Sequence, residues 1–267
     1  MKKTIVATKK THLKQLIKEE IKHYGNNCDL NHIDVTNIED MSYIFYETEF
    51  NGDISQWNTS KVVVMWGAFQ NSIFNGDISQ WDVSNVVSMW GMFANSNFNQ
   101  DISRWNIPKV IKVGRMFSKS QFNQDISRWN TSSVTDMWGM FSKSQFNQDI
   151  SRWNTTGVTD MGEMFAESNF NQDISQWDVS NVITMENMFH SSILECDLSD
   201  WKPIKLEAGN IFINSKLEKE NRTPYWASVK AEFLEQAIGA YSLQKKLKEL
   251  INQQPLNATD KIGTIKL

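Results

Sequence analysis

The sequence predicts an α/β repeat solenoid: about eight coils of 24 residues, each a short strand followed by a helical turn, stacked right-handed and parallel between helical caps. Three observations carry that expectation. Phe-Asn-x-Asp-Ile-Ser-x-Trp returns at a strict 24-residue interval, its Phe falling at Phe50, Phe74, Phe98, Phe122, Phe146 and Phe170, with Leu194 in the next place. Inside one period Trp81 and Val83 alternate around Asp82 at strand spacing, whereas Val86, Met89, Met92 and Phe93 follow at the threes and fours of a helix. At both ends the pattern decays, as terminal units of stacked repeats do.

Residues 1–27 read as an N-terminal cap. A short strand, Thr4 to Thr8, precedes a helix with Thr11 as N-cap; Leu13, Leu16, Ile17, Ile21 and Tyr24 share a face and Gly25 supplies the stop. Residues 28–215 hold the coils, anchored by Asp29, Asp53, Asp77, Asp101, Asp125, Asp149, Asp173 and Asp197. The first coil places Ile33 where later ones place Trp57, Trp81, Trp105, Trp129, Trp153, Trp177 and Trp201. Phe212 and Ile213 keep the spacing of Met188 and Phe189, a worn ninth half-coil. Residues 216–267 form a C-terminal helical cap and tail: Thr223 and Pro224 open a helix with Trp226, Val229, Phe233 and Ala237 on one face, and Ile262 to Leu267 can add a short strand.

The chain has 267 residues and 40% hydrophobic content, too apolar for disorder. No stretch approaches the ~20 apolar residues that span a bilayer. The apolar run in MKKTIVATKKTH is cut off by Lys9 and Lys10, too short for a secretion signal, so a cytoplasmic location is expected. Cys28 and Cys196 occupy equivalent places seven periods apart, roughly 34 Å at the spacing of paired strands, and are expected as free thiols. Residues 26–201 carry 22 acidic and nine basic side chains between two basic ends. The acidic middle disfavours nucleic acid as a partner.

The order of apolar positions and the phrases FNQDISRWN, DVSNV and MWGMF resemble, over roughly residues 28–201, the BspA-type leucine-rich repeats of bacterial surface proteins and mycoplasma lipoproteins. The resemblance implies a curved parallel solenoid used for adhesion or protein binding. The chain departs from the surface members in showing neither signal peptide nor lipobox, Cys28 standing in an NNCDL context.

Outward strand positions are the first candidate site. The residue before each ladder Trp gives Arg104, Arg128 and Arg152 on consecutive coils, flanked by Asn106, Asn130 and Asn154, a row able to receive carboxylates or phosphates. The same coil as Arg104 adds Lys109, Lys112, Arg115 and Lys119 against Asp101 alone. Trp66, Trp90 and Trp138, each one residue beyond an inward Met, form a second candidate on the convex side. The recurring Asn and Asp read as turn formers bonding their own backbone; one carboxylate per loop is too few for calcium. No phosphate-cradling glycine loop, metal spacing or nucleophile elbow is present. The expectation is a non-catalytic intracellular module that binds a protein, with no cofactor, metal, membrane or small-molecule substrate. An immunity or antitoxin-type protein wrapping a basic partner and a leaderless cell-surface adhesin remain as alternatives.

Overall fold

The computed structural model describes residues 3–207, 209–228 and 234–253. A two-residue strand, β1 (Ile5–Val6), pairs in parallel with β2 (Ile33–Asp34), and between them α1 (Lys10–Tyr24) turns Leu13, Leu16 and Ile17 into the core. The helix starts ahead of the expected Thr11 cap. Lys9 holds the N-cap place without a side-chain bond, and the ring Nδ1 of His12 accepts from the Thr8 amide at 3.3 Å instead. Gly25 closes the helix at φ 85°, its N–H donating to Ile21 O, a backbone that a side chain would disfavour.

Beyond β2 the chain is a repeat protein, held in register by single parallel bridges. Asp40, Val64, Ser88, Lys112, Asp136, Asp160 and Thr184 each pair with the next, one bridge per 24-residue rung. The strand expected at each ladder tryptophan lies seven residues later. Around the tryptophan the backbone donors are already committed: Ser103 N–H goes to Asp101 Oδ1 at 2.8 Å and Trp105 N–H to Ile102 O at 3.1 Å, which closes a turn.

The helical turn expected after the bridge is also absent. Twice per rung the backbone enters the left-handed region, at Arg115 (φ 53°) and Lys119 (φ 55°) and at their equivalents, which breaks any helix. Hydrogen bonds alternate in direction there. Val113, Arg115, Phe117 and Lys119 donate to the next rung (Asp136, Trp138, Met140 and Ser142 O), while Met116, Ser118 and Ser120 donate back to Val113, Arg115 and Phe117 O. Half of the segment's donors therefore have partners only because another rung is present.

The interior consists of columns of like residues. Phe69, Phe93, Phe117 and Phe141 stack at 5.5–5.9 Å between ring centroids, and Phe50, Phe74, Phe98 and Phe122 at 6.1–6.3 Å. Trp105 and Trp129 stack at 6.4 Å with planes 7° apart, which fixes the 24-residue register. Every ladder indole donates Nε1–H to the carbonyl 27 residues earlier, as Trp129 does to Ile102 O at 3.1 Å, so no buried indole donor is left over. Serine supplies a column of its own: buried Ser120 donates to Phe117 O at 2.9 Å and accepts from Phe122 N–H at 3.3 Å.

The asparagines do not bond their own backbone as expected. Asn99 Oδ1 accepts the backbone N–H of Asn123, and Asn123 Oδ1 that of Asn147, each at 2.8 Å, so they tie one rung to the next. The aspartates do close their own turns. The worn ninth half-rung exists one residue out of the expected phase: Phe212 stacks on Phe189 at 5.3 Å, not on Met188. Trp226, expected on a cap helix, extends the indole column, 6.0 Å from Trp201 and donating to Leu198 O at 2.9 Å. It sits in a 3-10 turn, Tyr225–Ser228, between the short helix α2 (Lys216–Lys219) and α3 (Leu234–Gln253). Val229, Phe233 and Ile262 to Leu267 lie outside the described residues. Neither Cys28 nor Cys196 is in a disulfide, and burial pushes the Cys196 thiol up to about 11.

Trp129→Ala removes an indole stacked between rungs and its hydrogen bond to Ile102 O. A loss of about 3–5 kcal/mol in the urea unfolding free energy is expected; a loss below about 1 kcal/mol would show that the column does not support the stack.

Candidate functional site: the bridge face

The residues expected to bind a partner fall on three parts of the rung. Arg104, Arg128 and Arg152 are exposed, but in turns and away from the ladder. Each follows by three residues an aspartate, Asp101, Asp125 or Asp149, whose carboxyl is held below its usual range chiefly by the serine N–H it accepts, with the neighbouring guanidinium adding to the effect. Asn106, Asn130 and Asn154 are exposed nearby; Asn130 and Asn154 accept from Ser132 and Thr156 N–H and so close local turns. Lys109 stands at the next corner, its Nζ 2.6 Å from Asn85 Oδ1.

The remaining residues meet. Lys112 is itself a bridge residue, Arg115 follows it by three, and Trp66, Trp90 and Trp138 each stand two residues past a bridge residue. The tryptophans therefore share a segment with the ladder rather than lying opposite it. Side chains here lean across the following rung. A Cβ placed on Gly114 would lie 2.8 Å from the Trp90 ring, and one on Gly162 2.7 Å from the Trp138 ring, so glycine is what lets each indole lie down. Trp66 has Trp90 ahead of it instead of a glycine, meets that ring edge-on at 5.3 Å, and stays 43% exposed. Trp138 is roofed by the Arg115 guanidinium, 4.1 Å from its ring centre.

Beside these rings runs a column that the sequence did not single out. Val63, Val87, Ile111, Thr135, Thr159 and Ile183 each donate N–H to the carbonyl 24 residues earlier, at 2.7–3.0 Å. Val63, Ile111 and Ile183 are 37%, 39% and 41% exposed, giving the face an apolar, β-branched stripe. The signal was available, since from Val63 to Ile183 these positions hold a branched residue in each rung directly after a buried valine, but strand and helix templates both absorb them.

Charge on the face changes sign along the stack. Lys112, Arg115 and Lys119 lie on one rung, and Asp136, Asp160, Glu163 and Glu167 on the two that follow. Arg115 reaches Glu163 at 3.9 Å and Lys143 reaches Glu167 at 2.9 Å. Burial raises the Asp160 carboxyl above its usual range and the Asp136 charge adds to that, against a 2.9 Å bond from Gly162 N–H. Among the described residues no group of His, Cys, Asp or Glu could hold a metal ion, and no helix is long and apolar enough to cross a membrane.

Residues 11–127 and again 113–226 match the family described as Mycoplasma protein of unknown function, DUF285. The chain belongs to that family. No curated protein and no solved structure matches it. The two matches of this DUF285 protein overlap and together run from α1 to Trp226, the span over which the stacked columns continue.

Because the lean of Trp90 depends on the missing side chain at Gly114, Gly114→Ala should displace that ring. The expected outcome is a shifted Trp90 indole N–H resonance with the column indoles unmoved; an unchanged Trp90 resonance would contradict the packing described.

Proposed function

We propose that this DUF285 protein is a non-catalytic protein-binding module, a right-handed curved solenoid of the leucine-rich-repeat type that takes a protein partner on its bridge face. One observation carries the reading. Interior places repeat almost without change from rung to rung, while the outward slot beside the ladder runs through Trp66, Trp90, Gly114, Trp138, Gly162 and Glu186. A scaffold needs the first regularity; a surface of individual character has no structural need of the second. Exposed Trp66 and, on the same face, Arg115 are of the residue types that dominate binding energy at interfaces, and Ile111 and Val63 add exposed apolar area beside them.

Curvature supports the same face. Equivalent tryptophans in the turn column are 6.2–6.4 Å apart, wider than the 4.7–4.9 Å of paired strands, and the Phe column from Phe69 to Phe141 is intermediate at 5.5–5.9 Å. Rungs that open toward the turns put the bridges on the inside of the bend, where a partner surface can be wrapped. The BspA-like surface role and a neutralising role draw on no further observation: the aspartates that make the middle acidic are engaged in their own turns.

Affinity capture from cells that make the protein tests this, with quantification of each retained protein. Trp66→Ala combined with Ile111→Glu should reduce capture of a specific partner by about tenfold or more, while Arg128→Glu in the turn row leaves it unchanged. Loss with Arg128→Glu and retention with the bridge-face variant would place the partner on the turns instead.

A further inference from the structure

We propose that the bridge face contains a cleft for the carboxylate side chain of an acidic peptide segment, a deepening that rests on the bridge face being the binding surface. The cleft has a volume of about 180 Å³. Pockets for drug-sized ligands run from roughly 300 Å³ upward, so this one suits a single side chain. Trp90, Gly91, Asn95, Arg115, Ser118 and Lys119 are among the residues that line it.

Its opening is a consequence of backbone geometry. Gly91 adopts φ 61°, and a Cβ there would meet only Gln70 Oε1, at 3.9 Å, so the space above Gly91 is open. Arg115 and Lys119 occupy the two left-handed positions of the next rung, four residues apart. Lys119 is exposed and, among the described residues, forms no ion pair; the Arg115 guanidinium lies over the Trp138 ring and 3.9 Å from Glu163, beyond hydrogen-bonding distance, so a face contact occupies it while its N–H groups make no hydrogen bond among the described residues. Both cations thus retain donors for an incoming anion. Asn95 Nδ2 donates to Asn71 Oδ1 at 3.0 Å, which fixes that amide at the rim.

The repeat supplies its own comparison. Two rungs on, the same frame recurs as Trp138 and Gly139, with Glu163 and Glu167 where the first cleft has Arg115 and Lys119. Lys143 pairs with Glu167 there at 2.9 Å. At the second frame each glutamate faces a cation, Glu163 the Arg115 that lies over Trp138 and Glu167 Lys143, so that frame offers a carboxylate no surplus positive charge; the cationic pair is a property of one rung and no requirement of the fold. A guanidinium and an ammonium together suit a two-oxygen carboxylate.

NMR titration of the isotopically labelled full chain tests the proposal, using a tetraglutamate peptide, a tetralysine peptide and inorganic phosphate as probes. Tetraglutamate should move the Trp90 indole and the Gly91, Asn95 and Ser118 amides saturably, and tetralysine should not. Arg115→Gln with Lys119→Gln should weaken that binding by about tenfold without changing the melting temperature. Shifts centred elsewhere, a double variant that binds as wild type does, or phosphate binding as tightly as the peptide would overturn it. If the bridge-face variant loses its captured partner while tetraglutamate leaves these resonances still, the cleft alone is wrong; if the peptide binds but capture is indifferent to the bridge face, the broader reading fails.

Discussion

Half of the backbone donors after each bridge point out of their own rung, and that single constraint organises the molecule. A lone rung would leave the N–H groups of Val113, Arg115, Phe117 and Lys119 without partners in a largely buried segment. Stability therefore resides in adjacency, and each rung is a template for the next. The first rung is covered by β1 and α1, with Ile5 and Ala7 donating to His32 and Asp34 carbonyls, and the last by Phe212 and Trp226. Both ends obey one rule: they offer the groups that another rung would have offered.

The columns of like side chains follow from the same register. Once the backbone repeats every 24 residues, each side chain lies over its own kind, so a residue that packs well once packs well throughout the stack. Stacked phenylalanines, indoles donating to the previous rung and serines joining Phe117 O to Phe122 N–H are all such solutions. Only the outward slots escape the requirement. There a large residue is compatible when the following rung yields, as Gly114 yields to Trp90 and Gly162 to Trp138. Variation on the bridge face is thus local, coupled in pairs of neighbouring rungs, and inexpensive to the interior.

The period, the inward residues and the two covered ends were legible in the sequence because burial leaves a periodic mark. The position of the ladder was not. Trp105 and Ile107 alternate like strand residues, yet the carboxylate of Asp101 and the carbonyl of Ile102 take the donors a strand would need. The 3 and 4 spacing of Met89, Met92 and Phe93 likewise reads as helical, although Gly91 and Asn95 at positive φ exclude a helix. Spacing reports which side chains point inward, and two backbones can satisfy the same inward set. For that reason Arg104, Arg128 and Arg152 were read onto a strand face and lie in turns, whereas Trp90 and Arg115, members of different candidate sites, line one cleft. The Trp-to-Gly coupling one period apart could have been found by comparing rungs position by position.

Distances between spin labels along the turn column test the register most directly. With Cys28 and Cys196 replaced by serine, labels are placed at Gln56 with Arg104, with Arg152 or with Asp200, two, four and six rungs apart. Ring spacings of 6.2–6.4 Å in this column predict separations that rise steadily, by about 12 Å for each two rungs and slightly less as the stack bends. A Gln56 to Asp200 separation no longer than that from Gln56 to Arg152 would contradict a stack in which positions 24 residues apart lie one above another.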